Sequence, residues 1–175
     1  MNEFDFNAKI EQLGLSAEEL PFELVARCID ARYKIAVAES CTGGIISARI
    51  TDVPGASAIF DCGVCSYANG IKQKLLGVRE KTLLTQGAVS AQTALQMADG
   101  VRKLAVADIG VSVTGIAGPG GGTDKKPVGL VYIAVSTELG CFAVRCLFNG
   151  SRAQIREHAA HAALYLAIKE TEKEI

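Results

Sequence analysis

The sequence predicts one α/β domain of three layers, in which helices cover both faces of a mixed, mostly parallel sheet. Two observations predict this fold. Short apolar runs typical of buried strands alternate with amphipathic helical patterns along most of the chain, and an antiparallel strand pair followed by a helix completes it. A length of 175 residues is enough for a single domain with a substantial core, so we expect one domain over 1–175.

Serine caps and the helical spacing of apolar residues predict the helices. Ser16 and Glu19 form a capping box before the first helix, and Ser90 caps a central one. A second capping box, Ser151 with Gln154, precedes the last helix. The predicted helices cover residues 17–31, 44–51, 71–76, 80–86 and 91–104, with a last helix from 152 towards the chain end.

Short apolar runs bounded by glycine, asparagine or proline predict the strands. Leu139 and Gly140 separate the last two strands, which indicates an antiparallel hairpin. A glycine-rich segment, GIAGPGGGTDKKPVG, precedes this hairpin and is longer than a simple connection needs to be. The predicted strands cover residues 34–38, 59–67, 108–114, 130–137 and 141–148.

Composition and charge exclude several classes of partner. The net charge of −1 gives no basic excess for binding nucleic acid. Each apolar run is too short to span a membrane. The acidic start, MNEFDFNAKI, lacks the apolar core of a signal peptide. We therefore expect a cytoplasmic protein that binds neither nucleic acid nor membranes.

The six cysteines are predicted to be reduced thiols packed as small apolar side chains. Cys62 and Cys65 form a C-x-x-C pair, but an odd offset within a strand directs the two side chains to opposite faces. No second pair accompanies them, and the only histidines are His158 and His161. Because these ligands are too few, we expect no metal site.

Polar loops follow three of the predicted strands and form the candidate site. They carry the sequences AESCTGG, YANGIK and TGIAGPGGG. The carboxyl ends of parallel strands lie at one edge of a sheet, where α/β proteins place their ligands. We therefore predict that the three loops converge.

Ser40 is the candidate nucleophile in the first loop. Gly43 and Gly44 allow a ligand to approach the backbone, and the N–H groups at the helix start favour a developing negative charge. In the alternative interpretation, Ser40 or Thr42 only caps the helix. Cys41 is a rival nucleophile, since a thiol near a helix N-terminus can have a lowered pKa.

A serine hydroxyl needs a base, and Lys72 is the candidate. The histidines lie within the last helix, and the G-x-S-x-G motif of hydrolases is absent. A lysine can act as a base where apolar burial or a neighbouring cation keeps it neutral. Alternatively Lys72 is solvated, as we expect of Lys74.

Arg152 and Arg156 lie one turn apart near the start of the last helix, where cations oppose the helix dipole. An anion such as phosphate, held between them and the helix N–H groups, would explain this placement. The alternative is a pair of surface contacts with Glu157 or Glu170. The GPGGG run can likewise wrap a phosphate or form a flexible loop, and it matches neither common phosphate motif.

Six blocks at ordered spacing together resemble the CinA C-terminal domain family. They are AESCTGG, ITDVPGAS, SYANGIKQKLLGV, GAVS, SVTGIAGPGGGTDKKPVGLVYIAV and FNGSRAQIREHAA. The resemblance is collinear from about Leu24 to the end of the last helix, and it leaves residues 1–20 as a poorly matched extension. It is a resemblance to the stand-alone form of the domain. The loop GPGGGTDKKP carries more glycine and positive charge than the family pattern.

This family includes the nicotinamide-nucleotide amidases, which convert nicotinamide mononucleotide to nicotinate mononucleotide and ammonia in pyridine-nucleotide salvage. The resemblance implies that Ser40 is the nucleophile, Lys72 its base and Tyr67 an assisting residue, with no cofactor. It also implies a set of substrate-binding residues in the loops and the last helix: Glu39, Cys41, Thr42, Gly43, Gly44, Asn69, Thr114, Gly115, Ala117, Gly118, Arg152 and Arg156.

Two further functions stay open at this point. One is a catalytically inactive module, linked to competence, that binds a nucleotide or a protein partner. The other is a thiol-dependent enzyme that uses Cys41. Apolar helix faces such as that of the last helix can serve an interface, so we expect a homo-oligomer.

Overall fold

The sheet and its helices occupy residues 6–173, which are the residues that the computed structural model of the protein describes. The five strands are β1 (Ile35–Glu39), β2 (Phe60–Cys65), β3 (Ile109–Gly115), β4 (Leu130–Thr137) and β5 (Gly140–Leu147). The helices are α1 (Phe6–Gln12), α2 (Leu20–Ala31), α3 (Ile45–Thr51), α4 (Asn69–Leu76), α5 (Glu80–Thr85), α6 (Ala91–Ala105) and α7 (Arg152–Thr171), with a 3-10 turn at Ala56–Ala58.

The strands form one mixed sheet in the order β2-β1-β3-β4-β5. β1 pairs in parallel with β2 and β3, whereas β4 is antiparallel to both β3 and β5. Four of the five strands therefore point in one direction, and the parallel pairs occupy one half of the sheet. The predicted α/β class, mixed sheet and terminal hairpin are confirmed.

Successive side chains of β1 point to opposite faces of the sheet and contribute to two apolar layers. Ile35 and Val37 face a core that contains α2, α3 and α7, while Ala36 and Ala38 face α4 and α6. α6 crosses all five strands on its side, and α7 packs on β3 and β4 on the other. The small alanines of β1 match the close approach of α6. The three-layer arrangement is therefore confirmed.

Helix α7 is buried on nearly every side because α1, α2 and α3 cover the surface that faces away from the sheet. Its apolar residues pack within this chain, so they do not supply the interface on which we based the expectation of a homo-oligomer. Within residues 6–173, no helix combines the length and the hydropathy that crossing a membrane requires.

The predicted serine caps explain where α6 and α7 begin. Ser90 Oγ accepts from the N–H of Thr93 at 3.2 Å, and the predicted capping box of α7 is complete, with both Ser151–Gln154 contacts present. The first predicted helix, in contrast, begins at Leu20 rather than at residue 17. The carboxylate of Glu19 binds the N–H of Ser16 at 2.7 Å, but this contact closes a turn before the helix.

Helix α1 was not predicted. It has seven residues, too few for a clear apolar period, and tertiary packing stabilises it rather than intrinsic propensity. Phe6 and Ile10 are buried, and the Phe6 ring packs edge-on against Tyr165 of α7 at 5.8 Å between centroids.

All six cysteines are free thiols, as predicted. Cys62 packs into the core on the α6 side of the sheet, whereas Cys65 is exposed. The two side chains therefore lie on different faces. Among the residues described, no group of three or more His, Cys, Asp or Glu side chains could hold a metal ion.

Two helical glycines test how closely α4 and α6 pack. A Cβ at Gly100 of α6 would lie 2.0 Å from the main-chain oxygen of Leu76, whereas a Cβ at Gly70 of α4 would meet nothing within 4 Å. We expect Gly100→Ala to lower the free energy of unfolding by about 2 kcal/mol or more, because the helices must separate. Gly70→Ala is the matched control, and it should gain up to about 1 kcal/mol from helix propensity. Urea denaturation measures both, and equal midpoints for the two variants would contradict this packing.

Candidate active site

A cleft of about 210 Å³ lies where the carboxyl ends of β1, β2 and β3 meet. β1 lies between β2 and β3, and helices α3 and α6 leave this region on opposite faces of the sheet, which creates a crevice at the strand ends. Residues of all three predicted loops line it, so their convergence is confirmed. The lining residues are Ser40, Cys41, Tyr67, Lys72, Ala88, Val89, Thr114, Gly115, Ala117 and Arg152.

Ser40 and Lys72 meet in this cleft. The N–H of Ser40 donates to the carbonyl oxygen of Val113 at 3.0 Å, which fixes the residue after β1 to β3. The Nζ of Lys72 lies 3.0 Å from Ser40 Oγ and makes a hydrogen bond with it. The carbonyl oxygen of Ser66 accepts a second bond from the same amine. The structure thus places a serine hydroxyl and a lysine amine in direct contact.

Helix α4 positions Lys72. Lys72 and Leu76 are one turn apart and both are buried, on the face of α4 that packs against α6. The Lys72 side chain is only 1% exposed, whereas Lys74 is exposed. The alternative of a solvated Lys72 is therefore wrong, and the prediction of a solvated Lys74 is confirmed. Packing of the lysine stem leaves its amine pointing at the cleft.

Burial sets the charge state of this pair. It lowers the pKa of Lys72, and the nearby thiols of Cys41 and Cys65 act in the opposite direction with smaller effect. Among residues 6–173, no carboxylate pairs with the Lys72 amine. Burial also raises the pKa of Cys41 to about 12, so this thiol is protonated at neutral pH. The geometry and the charge states favour Ser40 over Cys41 as the nucleophile.

Glu39, and neither Ser40 nor Thr42, caps helix α3. Its buried carboxylate accepts from the N–H groups of Gly44 at 2.9 Å, Ile46 at 3.2 Å and Ser47 at 2.9 Å. The hydroxyl of Ser47 donates to it as well. The capping alternative for Ser40 is therefore wrong. The same contacts occupy the first N–H groups of the helix, where we had expected a developing negative charge to bind.

Three other N–H groups of the turn stay available, those of Cys41, Thr42 and Gly43. No oxygen atom of residues 6–173 accepts from them. The N–H groups of Cys41 and Thr42 lie beside the Cys41 sulfur, a weak acceptor, and Cys41 lines the cleft. The sequence did not predict that the available N–H donors lie in the turn rather than at the start of α3. Their location depends on the Glu39 carboxylate, which binds the first N–H groups of α3.

Arg156 binds the backbone of the turn. Its Nε donates to the carbonyl oxygen of Cys41 at 3.1 Å, and its Nη2 donates to that of Thr42 at 2.7 Å. Arg156 does not line the cleft. Gly43 and Gly44 adopt φ angles of +60° and +100°, a conformation that glycine tolerates and side chains resist.

Arg152 lies at the rim of the cleft instead. Its Nη1 donates to the carbonyl oxygen of Gly118 at 2.8 Å, and its Nη2 donates to the hydroxyl of Tyr67 at 3.3 Å. In the described residues Glu157 pairs with Arg49, and Glu170 pairs with Lys173. The proposed surface pairs of the two arginines with these acids are therefore wrong.

The other predicted site residues divide into two groups. Thr114, Gly115 and Ala117 line the cleft, and Gly118 adjoins it through Arg152. Asn69 is exposed at the first position of α4 and lies outside the lining, as do four residues of the turn. Those four are Glu39, Thr42, Gly43 and Gly44.

The structure adds residues that we did not predict. Ala88 and Val89 form one wall of the cleft, and the hydroxyl of Thr114 donates to the carbonyl oxygen of Ala88 at 2.8 Å. Lys126 holds the same wall, since its Nζ donates to the carbonyl oxygen of Val89 at 2.7 Å. In the sequence, only the GAVS block and the lysines of the glycine-rich loop pointed to the contact between Lys126 and Val89.

Fold and cleft together define a class: three-layer α/β/α proteins with a serine–lysine pair at the carboxyl ends of parallel strands. The family model described as "CinA C-terminal domain" matches residues 17–171. The chain belongs to the CinA C-terminal domain family.

Similar proteins support this assignment. The chain is 51% identical to a putative competence-damage inducible protein of Acetivibrio thermocellus, over 89% of this chain and 38% of that protein. It is 47% identical to a CinA-like protein of Anaeromyxobacter sp. (strain Fw109-5), over 87% of this chain and 37% of that protein. The chain therefore spans less than two fifths of the length of these relatives.

Solved structures match nearly the whole chain. The competence/damage inducible protein CihA from Agrobacterium tumefaciens is 40% identical with a TM-score of 0.86, over 90% of this chain and 96% of that one. The competence damage-inducible protein A (ComA) from Klebsiella pneumoniae is 31% identical with a TM-score of 0.87, over 91% and 99%.

The buried lysine has a measurable consequence for stability. Because its pKa is lower in the folded protein, the unfolded chain binds the extra proton at pH values between the two pKa values. The free energy of unfolding should therefore rise with pH through this interval, up to the ordinary lysine value of about 10.4. Lys72→Met removes the cost of burying a charged amine. We therefore expect its free energy of unfolding at neutral pH to exceed that of the wild type by about 0.5–2 kcal/mol.

Urea denaturation at several pH values measures the difference between the two proteins, which should shrink as the pH rises. Lys74→Met, exposed on the same helix, is the control and should show no such trend. A difference between Lys72→Met and the wild type that stays constant with pH would show that the folded protein does not perturb Lys72.

Proposed function

We propose that this protein hydrolyses the carboxamide of nicotinamide mononucleotide, giving nicotinate mononucleotide and ammonia, with Ser40 as nucleophile and Lys72 as general base. One observation carries the proposal: a buried amine, which no carboxylate of residues 6–173 contacts, lies 3.0 Å from a serine hydroxyl inside a cleft. The resemblance to a family that includes such amidases supports the choice of substrate.

The first half of the reaction acylates Ser40. The neutral amine of Lys72 takes the proton of Ser40 while Oγ attacks the carboxamide carbon, which forms a tetrahedral oxyanion. The Lys72 ammonium then gives this proton to the amide nitrogen, the C–N bond breaks, and ammonia leaves. The product is an ester between Ser40 and the nicotinoyl group, and Lys72 is neutral again.

The second half hydrolyses this ester. Lys72 takes a proton from a water molecule that attacks the ester carbon, and it returns the proton to Ser40 Oγ as the ester bond breaks. The carboxylic acid then loses its proton at neutral pH. One amide and one water thus become a carboxylate and an ammonium ion, and the protein recovers its starting state.

The turn after β1 supplies the oxyanion donors in this proposal. The N–H groups of Cys41, Thr42 and Gly43 have no oxygen acceptor among residues 6–173, and they follow Ser40 directly. Donors held in place before the reaction stabilise the charge that develops on the carbonyl oxygen, which in enzymes is worth about 100-fold or more in rate per donor.

The two ends of the substrate match different parts of the cleft. Its phosphate suits Arg152, the cation at the rim, whose guanidinium offers several donors. Its pyridinium ring suits Tyr67, a lining residue that is 65% exposed and presents an aromatic ring to a cation. The Tyr67 hydroxyl bonds Arg152, so we assign Tyr67 to binding rather than to proton transfer. A pyridinium cation nearby also favours the neutral form of Lys72.

Removing either member of the pair should stop turnover. We expect Ser40→Ala to lower kcat by about 1,000-fold or more and Lys72→Met by about 100-fold or more, since one removes the nucleophile and the other its base. Ammonia release from nicotinamide mononucleotide measures both. The wild-type rate should rise with pH through the pKa of Lys72, which lies below that of ordinary lysine.

Cys41→Ser is the matched control and should retain activity, because the buried thiol is protonated. Wild-type turnover in Ser40→Ala would overturn the mechanism, and loss of activity in Cys41→Ser alone would identify a thiol enzyme. Retention of the nucleotide by the wild type without ammonia release would instead favour a binding module.

The phosphate assignment has its own test. Arg152→Met should raise KM for nicotinamide mononucleotide by about 10- to 100-fold, as expected for a lost hydrogen bond between charged groups. It should leave the affinity for nicotinamide riboside, which lacks the phosphate, within about twofold, because that molecule makes no use of the charge. Arg145→Met, on the exposed strand β5, is the control. An equal loss for both molecules would show that Arg152 does not bind the phosphate.

A further inference from the structure

We propose that Arg156 is a positioning residue for the oxyanion-binding turn and does not bind the substrate phosphate. This inference rests on the proposed acyl transfer to Ser40. Arg156 reaches from the second turn of α7 to the carbonyl oxygens of Cys41 and Thr42, at 3.1 and 2.7 Å. These are the two residues that directly follow the nucleophile.

Peptide geometry links these carbonyl groups to the N–H groups of the turn. In a trans peptide, the C=O of one residue and the N–H of the next point in opposite directions. Arg156 draws the carbonyls of Cys41 and Thr42 towards α7, so the N–H groups of Thr42 and Gly43 point away from α7. The side chain therefore sets the direction of two of the three available donors.

The charge of Arg156 strengthens the same donors. Hydrogen bonds from a guanidinium are roughly twice as strong as neutral ones. A cation bound to a peptide carbonyl also polarises the peptide, which makes its N–H a better donor to an oxyanion. The fork of the guanidinium spans two successive carbonyls, which a lysine ammonium does with less defined geometry.

Local packing fits this role. A Cβ on Gly43 would lie 3.3 Å from Arg156 Nη2, so a side chain there would press on the guanidinium. Glu39 binds the N–H groups on the far side of the turn, those of Gly44, Ile46 and Ser47. The Glu39 carboxylate thus holds the N–H groups where the turn enters α3, and the Arg156 cation holds the carbonyl groups of Cys41 and Thr42.

The two arginines of α7 therefore divide their tasks. Arg152 lies at the cleft rim, where it can meet an anion, whereas Arg156 lies outside the lining with two of its donors already occupied. Both cations lie near the helix N-terminus, where the dipole disfavours them. For Arg156, the carbonyl oxygens of the turn compensate this disadvantage without any ligand.

The test separates positioning from phosphate binding. In Arg156→Met we expect kcat for ammonia release to fall about 10- to 100-fold, as for the loss of ordered oxyanion donors. KM for nicotinamide mononucleotide and the inhibition constant of inorganic phosphate should stay within about twofold, since binding of the ground state does not use these donors. Arg156→Lys should recover part of kcat because the ammonium can still bind one carbonyl. Arg145→Met is the control.

A second readout does not depend on the nucleotide. The rate at which p-nitrophenyl acetate acetylates Ser40, followed by mass spectrometry, reports the oxyanion turn directly. It should fall in Arg156→Met about as much as kcat does and should not change in Arg145→Met, the exposed control on β5. Circular dichroism checks that each variant is folded. If Arg156→Met does not fold, the comparison of Arg156→Lys with wild type decides.

The outcomes are distinct. Ser40 acetylation that depends on Arg156, without ammonia release from the nucleotide, would support the positioning role and overturn the proposed substrate. Unchanged kcat and acetylation in Arg156→Met, or a raised phosphate inhibition constant with unchanged kcat, would overturn the positioning role. A wild-type protein that neither releases ammonia nor acetylates Ser40 would overturn both.

Discussion

The site depends on one interaction, the contact between the buried amine of Lys72 and the hydroxyl of Ser40. An ammonium removed from water without a counter-charge is costly, and within the part of the chain that the structure describes its partners are the carbonyl of Ser66 and the hydroxyl of Ser40. Both partners also suit a neutral amine, since the hydroxyl can donate to its lone pair. The fold thus favours the neutral amine of Lys72 over its ammonium form, and the neutral amine is the form that can take a proton.

The rest of the structure keeps this contact in place. β1 lies between β2 and β3, and the bond from Ser40 to Val113 holds the end of β1 against β3. α4 packs on α6 through the face that carries Lys72, so the amine cannot withdraw into solvent without breaking that packing. If Lys72 is the base that we propose, stability and reactivity compete at this residue, as is common where a polar group is buried for its chemistry.

The sequence predicted the features that depend on local patterns. Serine caps placed the starts of α6 and α7, the Leu139–Gly140 turn predicted the hairpin, and parallel strand ends predicted that Ser40 and Lys72 share an edge. The roles of Glu39 and Arg156 could not be predicted in this way. Both bind backbone groups of the turn, and a sequence does not reveal which main-chain atoms a distant side chain will reach.

In the proposed function, the placement of the cations separates catalysis from substrate binding. A phosphate needs a cation that is accessible, and Arg152 at the rim is accessible, whereas the lysine that we propose as the base must be inaccessible to remain neutral. Were Lys72 exposed, an anionic substrate would stabilise its ammonium form and remove the base. Separating the two cations along the cleft avoids this conflict, and committing Arg156 to the carbonyls of the turn keeps a third cation out of the cleft as well. In the proposed complex, a phosphate near Arg152 therefore has its counter-charge at the rim, and the amine beside Ser40 stays free to accept a proton.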